Sequence, residues 1–131
     1  MIESMFERII LGAAGVTAFT IGGFIALEPH TFYLSYDILL ADDPSLLSEL
    51  RGPGANLAVL GALMLAGLFY NPLSKASIIV AKIVFFAFPA GRVIGIFVDG
   101  VPSGAILAAL AIEIAIAVLL VVAFRKTKAF T

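Results

Sequence analysis

The chain has 131 residues, of which 62% are hydrophobic and only 13% are charged, and its mean hydropathy is +1.14. A soluble domain needs a polar surface, so this composition excludes a water-soluble globular protein and predicts that the chain lies in a bilayer. The net charge of −1 hides a segregation of basic and acidic residues by position. The absence of cysteine excludes disulfides, thiolate metal sites and cysteine nucleophiles.

Four apolar segments follow one another along the chain, and each approaches the roughly 20 helical residues that a bilayer core of about 30 Å requires. We therefore predict an all-α fold, an integral membrane four-helix bundle that forms a single domain over residues 1–131. The predicted spans cover about residues 9–27, 54–70, 77–98 and 103–124.

The connection between the first two spans is rich in aromatic and aliphatic residues from Phe32 to Leu40. Such a mixture favours the membrane interface or the top of the bundle. Asp43 and Pro44 have the character of an N-cap and a first helical residue, so we predict a short helix over residues 44–50. Gly52-Pro53-Gly54 is expected to break or kink the chain before the second span.

The basic residues indicate the orientation of the chain. One precedes the first span, one lies between the second and third spans, and three follow the fourth: Arg8, Lys75, Arg125, Lys126 and Lys128. The positive-inside rule makes this side cytoplasmic, so both termini are predicted to be cytoplasmic. The long connection between the first two spans is mainly acidic and is predicted to be an exoplasmic loop.

Small residues recur on single faces of the first three spans, as in closely packed membrane helices. We expect neighbouring backbones to approach each other at these faces, which carry Gly12 and Gly15, Gly54 and Ala58, and Gly91 and Gly95.

Arg92 and Glu113 stand inside the third and fourth spans, where an ionised side chain costs roughly 2.5 to 3.5 kcal/mol. Only residues 99–102 connect these spans, so the two helices must be antiparallel neighbours. By helical rise, Arg92 lies roughly 9 Å and Glu113 roughly 15 Å below the outer ends of their spans. A long arginine side chain covers this difference, which predicts an Arg92–Glu113 ion pair.

Other polar residues are predicted near the same depth. Asp99 shares a helix face with Arg92, Arg51 lies at the mouth of the second span, and Asn56 lies about a turn further in. Together with Glu113 they define a predicted polar layer in the exoplasmic half. Two interpretations stay open: the layer is a structural pairing of charges, or it binds a ligand or an ion.

The stretch from Asp43 to Asn56, the motif Gly91-Arg92-Val93-Ile94-Gly95, the pair Asp99-Gly100 and Glu113 together resemble the bacterial four-helix membrane family known as DUF4345. The resemblance covers most of the chain, and a fainter one links it to small DoxX-like proteins. It implies a four-helix protein of the bacterial cytoplasmic membrane but no established activity.

Three classes of function remain. The first is a non-enzymatic membrane protein, either an accessory subunit of a complex or a binder of a lipophilic molecule whose anionic or polar head group meets Arg51 and Arg92. The alternatives are an intramembrane enzyme with Glu113 or Asp99 as acid or base, and a small transporter or proton path through Glu113, Arg92 and Lys82. We expect contact with membrane lipids and leave open a protein partner or a homo-oligomer; no nucleic acid, metal or cofactor is predicted, apart from a bound lipid or similar molecule.

Overall fold

The computed structural model describes residues 2–125, and these residues form five α-helices and one short 3-10 turn. Four helices are long and apolar enough to span a membrane, which confirms the predicted all-α four-span fold. The orientation of the termini stays a prediction, and Lys126 and Lys128, on which it partly rests, lie outside the described residues. The helices are α1 (Met5–Leu27), α2 (Pro29–Leu34), α3 (Pro44–Phe69), α4 (Ser74–Asp99) and α5 (Gly104–Phe124), and the 3-10 turn is Asn71–Leu73.

Local capping explains where these helices begin. The Glu7 backbone N–H donates to Ser4 Oγ at 3.0 Å while the Ser4 N–H donates to Glu7 Oε1 at 2.9 Å, which is a capping box at the start of α1. Asp43 Oδ1 accepts from the Ser45 N–H at 3.1 Å, which confirms the predicted start of α3 with Pro44 in its first turn.

The predicted helix over residues 44–50 is present, but it is not a separate element. The helix α3 continues through Pro53 into the second span, so the chain does not break before that span, and a kink at Pro53 stays a prediction. Pro53 removes one backbone donor and frees the carbonyl of Glu49. Both residues are exposed, so that carbonyl does not have to be satisfied within a packed core. The short helix between the first two spans is instead α2.

Helices α1 and α3 pack closely through glycine. Cβ atoms added to Gly22 or Gly61 would collide with the backbone of the other helix, and one added to Gly54 would lie 2.7 Å from Ile25 Cγ2. The predicted close approach is therefore confirmed for the first two spans. It is wrong for Gly91 and Gly95, since Cβ atoms there would meet nothing within 4 Å.

The spanning helices form a ring in which α1 packs on α3, α3 on α4, α4 on α5 and α5 on α1. The tightly packed core lies at the end of the bundle where α1 begins and α5 ends, and Leu11, Met64, Ile78 and Leu120 are almost fully buried there. The buried residues of α5 begin only at Ala117. The opposite end of the bundle is therefore more loosely filled, and α2 lies at this end.

Candidate functional site

A cavity of about 600 Å³ occupies the loosely filled end of the bundle. All four spanning helices and α2 contribute to its wall, which is mainly apolar. Aromatic rings form much of it, from Phe32, Tyr33, Tyr36, Phe85 and Phe88. Its volume lies within the range of about 300 to 1,000 Å³ that is typical of small-molecule pockets.

Arg92 and Glu113 form the predicted ion pair in the wall of this cavity. Arg92 Nε donates to Glu113 Oε1 at 2.8 Å, and Arg92 Nη2 donates to Glu113 Oε2 at 2.9 Å. This two-bond geometry matches the planar guanidinium to the carboxylate. The side chains are 22% and 14% exposed, so the pair is shielded without being sealed off.

Helix α2 and the turn after it cover one side of the cavity. Phe32 contacts Phe24, Tyr33 and Tyr36 through edge-to-face ring pairs with centroids 5.0 to 5.5 Å apart. Ser103 Oγ, at the start of α5, donates to the Tyr36 carbonyl oxygen at 3.1 Å. These contacts attach α2 to both α1 and α5, and they agree with the prediction that the aromatic loop lies at the top of the bundle.

Tyr33 and Tyr36 add polar groups to the cavity wall near Arg92. Burial raises the pKa of the Tyr33 hydroxyl above its ordinary value of 10.0, and Tyr36 raises it further, whereas Arg92 acts in the opposite direction. Tyr36 also interacts electrostatically with Arg92. At neutral pH the Tyr33 side chain therefore presents a neutral hydroxyl that donates and accepts hydrogen bonds.

Arg51 contacts the end of the neighbouring helix α1. Its Nη1 donates to the carbonyl oxygens of Ala26 at 2.6 Å and Leu27 at 3.2 Å, so it caps the C-terminal end of α1. Arg8 does the same for α3 through the Leu68 carbonyl oxygen at 3.1 Å. Carbonyl oxygens at helix ends lack partners within their own helix, which explains why these cations lie there.

Lys82 follows the same pattern. Its Nζ donates to the Phe124 carbonyl oxygen, at the C-terminal end of α5, at 3.2 Å. This contact supplies the ammonium group with an acceptor inside the bundle.

The structure brings only part of the predicted polar layer together. Arg92 and Glu113 meet at the cavity, whereas Arg51, Asn56 and Asp99 do not line it. Asn56 is exposed on α3, and Asp99 is the exposed last residue of α4. A ligand-binding role for any of these five residues stays a prediction.

Sequence reasoning missed the contribution of Gly91, which it assigned to helix packing and which instead lines the cavity. It also missed Tyr33 and Tyr36 as neighbours of Arg92. The aromatic run in the loop was a signal for these two residues, but it did not reveal how α2 folds over the bundle.

Metal-binding residues are not gathered in the described part of the chain. Residues 2–125 contain no group of three or more histidine, cysteine, aspartate or glutamate side chains that could hold a metal ion. His30 Nε2 of α2 lies 2.9 Å from Asp42 Oδ1, in the segment that precedes α3.

The protein is thus a small helical membrane protein. Its four apolar spanning helices surround a cavity near one end of the bundle, and an ion pair lies in the wall of that cavity. The chain belongs to the DUF4345 family, described as a domain of unknown function, whose sequence profile matches residues 6–124. Searches among curated proteins and among solved structures each found no match.

Proposed function

We propose that the protein is a non-enzymatic membrane protein that binds a lipophilic molecule in the cavity beneath α2. The observation that carries the proposal is a cavity of about 600 Å³ with the Arg92–Glu113 pair in its wall. Pockets that bind small molecules combine a mainly apolar lining with a few converging polar groups. The apolar part of the ligand would occupy the aromatic-lined space, and its polar end would lie beside the ion pair.

The position of the charged residues gives less support to the alternatives. Both carboxylate oxygens of Glu113 accept from Arg92, and Asp99 is exposed at the end of α4. A free acid and base facing one reacting atom are what an intramembrane enzyme would require. Lys82 donates to a backbone carbonyl of α5, so its ammonium group is engaged away from the pair.

The predicted orientation adds a direction to the proposal. With both termini in the cytoplasm, the first connection is exoplasmic, so α2 and the cavity would face the exoplasmic half of the membrane. A ligand would then enter from the outer leaflet or from the exoplasmic surface.

Filling the cavity tests the proposal. Gly91 lines the cavity, and a Cβ added there meets nothing within 4 Å, so Gly91→Phe introduces a ring without a backbone collision. Gly95→Phe is the matched control, because Gly95 lies one turn further along α4, has equally free space at its Cβ and does not line the cavity. Each protein is extracted in a mild detergent, purified and analysed by native mass spectrometry together with lipid analysis of the bound fraction.

We expect wild type and Gly95→Phe to retain the same lipophilic molecule in stoichiometric amount, and Gly91→Phe to lose it. Equal retention by both variants, or nothing bound to the wild type, would contradict the proposal. Recovery of a stoichiometric protein partner without any small molecule would favour the accessory-subunit alternative.

A further inference from the structure

The charges in the cavity wall cancel each other. Among the described residues that line the cavity, Arg92 and Glu113 are the charged ones, and they are paired. Arg51, the other cation that the sequence placed near a ligand head group, donates to the end of α1. The cavity therefore carries no net charge to offset an ionised ligand.

The ion pair still has unused hydrogen-bonding capacity. A guanidinium carries five N–H donors, and Glu113 occupies two of those on Arg92. A carboxylate has about four acceptor positions, and Arg92 occupies two of those on Glu113. The pair can thus offer both a donor and an acceptor to a third group without coming apart.

The hydroxyl-bearing residues of the cavity wall have the same dual character. Thr17, Tyr33 and Tyr36 also line the cavity, and each hydroxyl both donates and accepts. The wall as a whole is complementary to an uncharged group that can do both. A hydroxyl group is the simplest head group of this kind.

The Arg92–Glu113 pair disfavours a ligand with an ionised head group. An anion beside Arg92 also faces the Glu113 carboxylate, and a cation beside Glu113 also faces the Arg92 guanidinium. Releasing either partner of the pair to meet the ligand leaves the other charge without compensation in a medium of low polarity, which is costly. The pair therefore discriminates against ions of both signs.

Resting on the proposed function, we infer that the cavity selects a single amphiphile with an uncharged, hydroxyl-bearing head group over amphiphiles with ionised heads. Ligands that share one alkyl chain and differ only in the head group test this. The purified full chain in phosphatidylcholine nanodiscs, whose lipid head groups carry no hydroxyl, is incubated with radiolabelled 1-hexadecanol, which is displaced by unlabelled hexadecanol, by hexadecanesulfonate as a permanent anion, or by hexadecylamine as a cation at neutral pH.

We expect the sulfonate and the amine to compete at least about tenfold more weakly than hexadecanol with the wild type. Glu113→Gln leaves Arg92 without its counter-charge in a side chain of the same shape, so it should shift the preference by about tenfold or more toward the sulfonate. Glu49→Gln makes the same chemical change at an exposed position outside the cavity and should leave the order unchanged.

The outcomes separate this inference from the proposed function. Saturable binding in which the sulfonate or the amine competes as well as hexadecanol overturns the head-group preference and leaves ligand binding intact. Absence of saturable hexadecanol binding overturns the head-group inference, and native mass spectrometry that finds no small molecule bound to the wild type overturns the proposed function as well. If Glu113→Gln does not fold by circular dichroism and size-exclusion chromatography, the wild-type order alone decides, and equal or stronger competition by either ion overturns the inference.

Discussion

Gly22 and Gly23 are adjacent in α1, yet substitution by alanine should change the free energy of unfolding in opposite directions at the two positions. A Cβ added to Gly22 would collide with the Ala58 backbone nitrogen of α3 and would lie 2.5 Å from the Gly54 carbonyl oxygen. A Cβ added to Gly23 would meet nothing within 4 Å. Gly22→Ala and Gly23→Ala are therefore a matched pair that isolates the packing of α1 against α3.

The size of the effect follows from this geometry. The distance of 2.5 Å is about 0.9 Å short of the 3.4 Å at which ordinary van der Waals contact begins, so the helices must separate locally by about that amount. A gap of 0.5 to 1 Å forfeits about a quarter to a half of the dispersion energy of each contact that it opens. Backbone atoms cannot rotate away as a side chain can, so we expect a cost near the upper end of the about 1 to 3 kcal/mol observed for overpacking.

Both variants gain about 0.5 to 1 kcal/mol from replacing glycine by alanine inside a helix. This gain cancels when the two are compared, so Gly22→Ala should unfold with a free energy about 3 kcal/mol smaller than that of Gly23→Ala. The assay is reversible unfolding of the purified protein in mixed micelles of dodecyl sulfate and a mild detergent, followed by far-ultraviolet circular dichroism. Equal unfolding free energies for the two variants would refute the close backbone packing of α1 and α3.

Three further outcomes follow from single contacts. Ser77→Ala removes a buried hydroxyl whose single proton has two backbone acceptors within reach, the Leu63 carbonyl oxygen of α3 at 2.7 Å and the Leu73 carbonyl oxygen of the 3-10 turn at 2.8 Å. It should reduce the unfolding free energy by about 1 kcal/mol. The exposed Ser48→Ala should change it by less than about 0.5 kcal/mol, and an equal effect of both would contradict the buried hydrogen bond. Arg51→Met removes the cap of α1 and should reduce the unfolding free energy by about 0.3 to 1 kcal/mol in the same assay. Ligand retention should stay as in the wild type, and loss of the ligand would show that Arg51 belongs to the binding site. The folded state raises the pKa of Tyr33 and so holds the hydroxyl proton more tightly than the unfolded state does. The contribution of Tyr33 to stability is therefore complete below pH 10 and declines as the pH rises above it. Alkaline unfolding monitored by circular dichroism should be less steep for Tyr33→Phe, and identical pH profiles would contradict the raised pKa.

Much of the fold was predictable because membrane insertion imposes strong local rules. Each span must contain enough apolar residues to cross the hydrocarbon core, and this requirement is visible in the sequence without any knowledge of tertiary contacts. The start of α3 was predictable for a similar reason, since an aspartate followed by proline favours a helix start wherever the helix then packs. The continuity of α3 through Pro53 was not, because one missing backbone donor breaks a helix only if the surroundings leave the freed carbonyl unsatisfied.

The candidate site likewise has residues whose contacts were predictable from sequence and residues whose contacts were not. Arg92 and Glu113 could be paired from sequence because a short turn forces α4 and α5 to be antiparallel neighbours and helical rise gives their depths. The position of Arg51 could not be predicted, because an arginine at the mouth of a span can reach either the cavity or the end of the neighbouring helix. The contacts with Ala26 and Leu27 depend on how closely α1 and α3 approach each other.

By itself, the sequence determined the class of protein, the number of spans and the ion pair, since hydropathy, turn length and helical geometry act over short stretches of chain. Only the tertiary structure decided that the glycine faces of α1 and α3 meet each other, through Gly15, Gly22, Gly54 and Gly61, whereas Gly91 lines the cavity. A glycine has no side chain to reveal which neighbour it will meet. The cavity exists because the helices pack tightly at one end of the bundle and less tightly at the other, a property that no single helix carries in its own sequence.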